Sequence, residues 1–347
     1  MAETRRCSKC GKDLPVWAFR KRPDSADGYR RDCKKCHTAT CRDGLRRRRF
    51  FEGRRDVGAV AKGTLSVAPI NVSTPRPSPV RSAEKKAGRD GEPAVHLLTA
   101  DEHIPHTVWA KAHAITRYAA DTRLDGRHFL GDVVENAAVS KWLDGNVRKQ
   151  FDATAWPEQM EQANRYLDGA VGAARRVNPG CRVTLLQGNH EAWAEWYRDR
   201  YPMLGDLLDV PLALRLAKRR VEYFRFWTHN EAVEIGDLLL THGRFTSIYH
   251  ARRHLLKYKR SMLYGHCHDT QRAVEPRWGG SGRPLVAQCI GTLRDLKVDF
   301  QCNEDNNWEH AFAVVWSWPD GSFIHQVVPV TEKGFVGPTN GRLYRLT

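Results

Sequence analysis

Val183-Thr184-Leu185-Leu186-Gln187-Gly188-Asn189-His190-Glu191 decides how the rest of this chain is read. The first four residues form an apolar run of strand length, and Gly-Asn-His-Glu follows as a turn. A buried strand that ends this way presents an amide oxygen and an imidazole at the carboxyl edge of a sheet, where α/β proteins place their chemistry.

Four further apolar runs deliver side chains of types able to bind metal, none of them decisive by itself. Ala94 to Ala100 leads into Asp101-Glu102-His103, and His128-Phe129-Leu130 leads into Gly131-Asp132. Asp237 to Leu240 ends in Thr241-His242-Gly243, and Ser261 to Tyr264 ends in Gly265-His266-Cys267-His268. On extended backbone the outer residues of Asp-x-His and His-x-His point the same way and can share or neighbour an ion, with Cys267 turned toward the core. Apolar positions at helical spacing predict helices through Val108, Ala112, Ile115 and Ala119 and from Glu158 to Val177, the second stopped by Asn178-Pro179-Gly180. A helical, basic middle portion follows the Gly-Asn-His-Glu turn. Strand-like runs at Pro284 to Ile290, Ala311 to Trp316 and Val327 to Val330 predict the second half of a two-sheet core.

Taken in order, Asp-x-His, Gly-Asp, Gly-Asn-His-Glu, a single His and Gly-His-x-His resemble the calcineurin-like metallophosphoesterase superfamily over roughly residues 94 to 325. The resemblance implies an α/β, two-sheet sandwich flanked by helices (αββα) with a dinuclear centre at the sheet edge. It assigns Asp101, His103 and His268 to a first ion, Asp132 to both, and Asn189, His242 and His266 to a second. A metal-bridging hydroxide would attack phosphorus while His190 assists the leaving group, so Asp132 and His190 are the expected catalytic residues. Glu191 and Asp101 are expected to orient His190. The mixed oxygen and nitrogen ligands favour manganese, with iron or zinc as alternatives.

One departure bears on subgroup. Val133-Val134-Glu135-Asn136 follows Asp132 where the protein Ser/Thr phosphatases of the superfamily carry Asp-Arg-Gly, which removes a phosphate clamp suited to phosphoproteins. The stretch Thr241 to His268, with Arg252, Arg253, Tyr258 and Lys259 within it, looks more like the phage-encoded and nuclease-like members. His250 and His254, four residues apart among Arg and Lys, are expected on a solvated helix face. His96, His106, His113, His128, His229, His310 and His325 receive no role.

The N-terminal quarter needs its own account. Cys7-Ser8-Lys9-Cys10 and Cys33-Lys34-Lys35-Cys36 are two CxxC knuckles separated by 22 residues, close to the spacing of a zinc ribbon. So short a segment cannot bury enough apolar surface to fold alone, so one structural zinc would supply the folding free energy, with Leu14, Trp17 and Phe19 covering it. His37 and Cys41 are spectators, since four thiolates complete the shell. Arg46-Arg47-Arg48-Arg49, then Phe50 and Phe51, predict a basic helix suited to phosphate neutralisation and base stacking. Residues 1–56 are thus expected to be the ribbon and basic helix, 57–92 a Pro/Ser/Ala-rich linker, and 93–347 the phosphoesterase domain.

Charge supports that division. Of the net +16, residues 1–95 carry 24 Lys+Arg against 11 Asp+Glu, leaving 32 against 29 for the remainder. A polyanion is the natural partner of such an N-terminus. Nine cysteines without a secretory h-region argue against a disulfide framework, and no run of about 18 apolar residues predicts a membrane span. The expected setting is the cytoplasm, the host's if the protein is phage-encoded. The expected activity is phosphodiester hydrolysis of nucleic acid; phosphomonoesterase activity on phosphoproteins or small metabolites, and a non-catalytic nucleic-acid adaptor, are the alternatives. Oligomeric state is left open.

Overall fold

The computed structural model describes residues 4–21, 29–36, 81–82, 91–140, 155–276, 282–297 and 306–347. The chain divides into two units, Met1–Ser73 and Thr74–Thr347.

In the first unit β1 (Thr4–Arg6) pairs antiparallel with β2 (Asp13–Pro15), and β3 (Phe19–Lys21) with β4 (Tyr29–Cys33). Its buried apolar core is Cys7, Phe19 and Cys33. Trp17 is 74% exposed, so it does not cover the cysteines as expected, and Phe19 fills that place. Arg46 to Arg49, His37 and Cys41 lie outside the described residues.

The second unit holds two six-stranded sheets. The first runs β16 (Phe323–Pro329), β15 (Ala311–Ser317), β6 (Ala94–Thr99), β7 (Gly126–Phe129), β8 (Arg182–Leu186) and β9 (Val221–Phe224). Its strands β6 to β9 are parallel, and β15 and β16 are antiparallel to their neighbours. The second runs β13 (Arg272–Glu275), β14 (Leu285–Cys289), β12 (Ser261–Tyr264), β11 (Leu238–Thr241), β10 (Val233–Ile235) and β5 (Arg81–Ser82). The dipeptide β5 falls inside the 57–92 stretch expected to be a linker, and it pairs in parallel with β10. Strands β9 and β10 lie where the sequence predicted only helix. Their short runs, Val-Glu-Tyr-Phe and Val-Glu-Ile, carry too little apolar period to stand out.

Alternation along the strands separates two cores. Leu97, Phe129 and Leu185 face helices α1 (Trp109–Asp121) and α2 (Ala155–Val177). Leu98, Leu130 and Leu186 face the second sheet, meeting Val233, Leu240, Met262 and Ala287. Both faces of the first sheet are therefore covered, which is why its strands read as continuous apolar runs rather than alternating ones. One polar ladder crosses this sheet. The Ser317 hydroxyl lies 3.1 Å from His96 Nε2, His96 Nδ1 3.0 Å from His128 Nε2, and His128 Nδ1 2.8 Å from the Thr184 hydroxyl. A buried imidazole needs such partners, and burial pushes His96 down to about 4. Among the described residues, no helix is long and apolar enough to cross a membrane.

Candidate metal centre

The carboxyl ends of β6, β7, β8, β11 and β12 meet at one edge of the sandwich and bring all seven expected ligands together. Asp101 and His103 leave β6, Asp132 leaves β7, His242 leaves β11, and His266 and His268 leave β12. Asn189 and His190 are not in an open turn but open helix α3 (Asn189–Arg200), so their backbone belongs to a helix N-terminus. The His190 N–H donates to Asp132 Oδ1 at 2.8 Å, as an exposed first-turn amide should toward a carboxylate.

Extended backbone is not what aims the paired ligands. Asp101, His103, Asp132, His266 and His268 all have positive φ, between 51° and 76°. Left-handed backbone at a non-glycine residue costs about 1–3 kcal/mol, and such residues persist where surrounding structure overdetermines them. Here the surroundings are backbone clips. The Asp101 N–H donates to the Gly131 carbonyl at 3.0 Å, and the His103 N–H to the Asp132 carbonyl at 2.9 Å. The His266 N–H donates to Asp101 Oδ2 at 2.8 Å.

Two donor sets result. In the first, His268 Nε2 lies 3.3 Å and His103 Nε2 3.7 Å from Asp101 Oδ1, and the two imidazole nitrogens are 3.0 Å apart. In the second, His242 Nε2 lies 3.1 Å from Asp132 Oδ2 and 3.2 Å from Asn189 Oδ1. His266 joins this set, with Asp132, His242 and His266 offering ligand atoms within 4.8 Å of one another. Asp132 stands between the sets, since its Oδ2 is also 3.9 Å from His103 Nε2.

The chemistry of these donors fits divalent ions. Asp101 Oδ1 is buried with no hydrogen-bond partner, and imidazole nitrogens converge on it. His242 Nδ1 donates to the Leu130 carbonyl at 2.7 Å, which leaves Nε2 as the free lone pair facing the site. His103 Nδ1 is likewise fixed by Glu135 Oε2 at 2.7 Å. Burial alone would push His103 down, yet Glu135, Asp101 and Asp132 raise it to about 10. Burial likewise opposes protonation of His242, but Asp132 lifts it to about 9. Carboxylates that drive buried imidazoles to hold protons mark a place lacking positive charge, which a cation supplies.

His190 stands at the edge of the first set. Its ring packs on Trp193 with centroids 3.9 Å apart, and Nδ1 donates to the Glu135 carbonyl. Nε2 is left facing Asp132 Oδ2 at 3.8 Å. Burial pushes His190 down to about 4. Glu191, expected to orient it, has another task. Its carboxylate accepts the N–H groups of Gly188, Asp132 and Val133 at 2.8, 2.9 and 2.8 Å and so fixes the loop that carries Asp132. Burial raises Glu191 to about 7 despite those amides. Glu135 and Trp193 hold His190 in place.

Gly188 is required by close approach. Its φ is ordinary, but a Cβ there would lie 2.1 Å from Asp132 Oδ1. Gly265 is alike, since a Cβ would lie 2.4 Å from Asp101 Oδ2. Cys267 turns from the site, as expected, and its thiol donates to the Phe245 carbonyl at 3.1 Å. His250 and His254 are not solvated but buried, at 3% and 0% exposure. His250 lies 2.9 Å from Asp269 Oδ2 and 2.8 Å from the Tyr264 hydroxyl, and His254 Nε2 accepts the Arg244 N–H at 3.0 Å.

The chain folds as two sheets flanked by helices, with the candidate donors gathered at one edge. No protein-family model matches it. It is similar to two phage proteins, each called Gene 54 protein. That of Mycobacterium phage L5 is 22% identical over 273 residues, spanning 72% of this chain and 98% of its own. That of Mycobacterium phage D29 is 21% identical over 254 residues, spanning 69% and 94%. Among solved structures, Vacuolar Protein Sorting 29 of Cryptosporidium parvum matches at TM-score 0.35 and 12% identity over 70% of this chain and 95% of that one. A dimetal phosphatase of Danio rerio gives 0.33 and 11% over 74% and 100%. The nuclease MPE of Pseudomonas putida gives 0.29 and 16% over 67% and 86%.

Sequence reasoning missed several residues of the site. Glu135 and Arg294, joined at 2.5 Å, brace His103. Trp193, Trp227 and Trp308 flank His190, His266 and His268, with centroids 3.9, 5.0 and 4.3 Å away. Glu135, three residues past Asp132, and Trp193, three past His190, had neighbours that could have marked them. In the N-terminal unit, Cys7, Cys10, Cys33 and Cys36 bring their sulfurs within 4.8 Å of one another. Backbone N–H groups from Cys10 and Cys33 lower the Cys7 thiol to about 6, toward the thiolate a metal requires.

Proposed function

We propose that this protein is a dinuclear-metal-dependent phosphodiesterase that cleaves nucleic acid, with Asp101, His103 and His268 on one ion, Asn189, His242 and His266 on the other, and Asp132 on both. The observation that supports it is the meeting of seven donors, six of them buried and His266 half-buried, in two sets that share one carboxylate. Two divalent ions in such a site, manganese in assay, supply Lewis-acid charge to a phosphate and a water of lowered pKa.

The chain's own residues do the rest. Glu135 and the Leu130 carbonyl hold His103 and His242 in the tautomers that ligate. The Glu135 carbonyl and Trp193 fix His190 so that Nε2 alone meets the substrate. An anionic phosphate beside Nε2 offsets the effect of burial and raises its proton affinity, which lets it pass a proton to the departing oxygen. The four cysteines hold one structural zinc. The ribbon and Arg46 to Arg49 tether the enzyme to nucleic acid, so that backbone phosphates are concentrated around the site. The two phage relatives support a setting in the cytoplasm of an infected host.

A substrate panel with added manganese tests the reading: single- and double-stranded DNA and RNA, phosphopeptides, and bis-para-nitrophenyl phosphate. The account expects manganese-dependent cleavage of a nucleic acid. Turnover of phosphopeptides or small phosphomonoesters without nuclease activity would replace it with the phosphomonoesterase reading.

A further inference from the structure

From Leu238 to His268 the sequence has six Lys or Arg and no Asp or Glu, in a unit whose charges otherwise nearly balance. This acid-free stretch begins on the strand that delivers His242 and ends on His268. Between them lies helix α4 (His250–Tyr258), reached through an exposed loop, Thr246 to Tyr249.

The buried face of α4 is anchored to both ligand loops. His254 takes the Arg244 N–H two residues beyond His242, and His250 takes Asp269 next to His268. The Ala251 N–H donates to Gln271 Oε1 at 3.0 Å. The outer face carries Arg252, Arg253 and Lys257, all exposed, and none of them forms an ion pair among the described residues. Helix partners do not neutralise this face, whereas Lys259 and Arg260 are paired with Glu275 and Glu234.

Aromatic rings are interleaved with these charges. The Arg253 guanidinium lies 4.3 Å from the centroid of Phe245, whose carbonyl receives the Cys267 thiol between two ligands. On the other side Arg244 holds Trp227 at 5.2 Å, and Trp227 lies 5.0 Å from His266. Tyr249, at the start of α4, is 72% exposed. Trp227 and Phe245 are half-buried, so each keeps part of a ring open. Partly open rings beside the exposed guanidinium groups of Arg252 and Arg253 give a polyanion with unstacked bases both a countercharge and a π-face to meet.

Resting on the phosphodiesterase reading, we propose that Trp227, Phe245, Tyr249, Arg252, Arg253 and Lys257 form a rim beside the second ligand set that binds single-stranded nucleic acid. Its guanidinium and ammonium groups neutralise backbone phosphates, and Tyr249 and Trp227 stack bases flanking the scissile link. A duplex, whose bases are already stacked, gains only the phosphate contacts. The rim thereby sets strand preference at the site, apart from any tether at the N-terminus.

Full-length protein with manganese tests this on a single-stranded oligonucleotide, its duplex and bis-para-nitrophenyl phosphate, comparing wild type, R252E/R253E and Y249A. All three side chains altered are exposed, and matching thermal midpoints confirm folding. R252E/R253E is expected to raise KM for the single strand about tenfold with kcat within twofold. Its dependence of log KM on log salt should flatten by about 1.4, the slope for two phosphate contacts to a single strand. Y249A should raise KM for the single strand at least about fivefold, the equivalent of roughly 1 kcal/mol of lost stacking, and leave the duplex unchanged. Cleavage of nucleic acid with KM, salt slope and strand preference all unaltered in both variants would overturn the rim while leaving the phosphodiesterase reading intact. Hydrolysis of the small diester with no cleavage of any nucleic acid would overturn the nuclease reading, and the rim with it.

Discussion

The two metal-binding regions gather their ligands in opposite ways. Around the four cysteines the buried apolar core among the described residues is Phe19 and two of the cysteines themselves, so little besides an ion on the four thiols would hold the ligands together. At the edge of the sandwich the ligands stand on strands fixed by two extensive cores, and five of them sit in left-handed backbone that those cores hold in place. On this reading a metal would complete the fold in the first region. In the second, the fold is complete and prepares a site for metal.

That contrast is broken or sharpened most strongly by chelation. Removing metal should unfold residues 4–21 and 29–36, at a cost on the order of 10 kcal/mol for a structural zinc, and leave the two sheets intact. Hydrogen exchange reads both regions at once: the N-terminal amides should lose protection, and those of β6, β7 and β8 should keep it. Loss of protection in β6 to β8 would show that the catalytic edge depends on metal as the ribbon does.

Next in size is His190→Ala, which should lower kcat for a diester by about 10² to 10⁴ while metal content is unchanged. A parallel loss of bound metal would recast His190 as a ligand, a role its distance from His103 and Asp132 permits.

A third prediction concerns how the sandwich holds its shape without metal. Burial keeps His96 neutral, with its pKa moved from 6.5 down to about 4. As pH falls from 6.5 toward 4, the unfolded chain takes up a proton that the folded one refuses, so folding stability must drop. The full difference is on the order of 3 kcal/mol. His96→Gln should flatten the decline in unfolding midpoint across that window; an unchanged slope would remove His96 from the acid sensitivity.

The smallest effect is expected from Glu135→Gln. It keeps the shape but withdraws the charge that steadies His103, so metal affinity should fall about 10- to 100-fold while kcat at saturating metal stays near wild type.

The fold class and the residues that gather at the sheet edge were legible because each motif follows an apolar run, and a strand end is where such a side chain can reach a shared site. The way the ligands are aimed was not. Asp-x-His and His-x-His suggested alternation along extended backbone, whereas φ is positive at Asp101, His103, His266 and His268, which residue type does not reveal. Glu191 looked like a partner of its neighbour His190 and instead binds amides some sixty residues earlier, at Asp132 and Val133. His250 and His254 looked solvated because their sequence neighbours are basic, yet helical period turns those neighbours outward and the histidines inward. Arg294 and Trp308 reach the site from the far end of the chain, and nothing local marks them.

The central claim is that Asp132 joins two ions at one site. Metal content per chain, measured by mass spectrometry on manganese-loaded protein, tests it directly. The account predicts three ions in the wild type, one of them zinc, and a loss of more than one manganese in Asp132→Ala, with the zinc retained. An Asp132→Ala protein that keeps both manganese ions, or a wild type that never holds more than one, would contradict it.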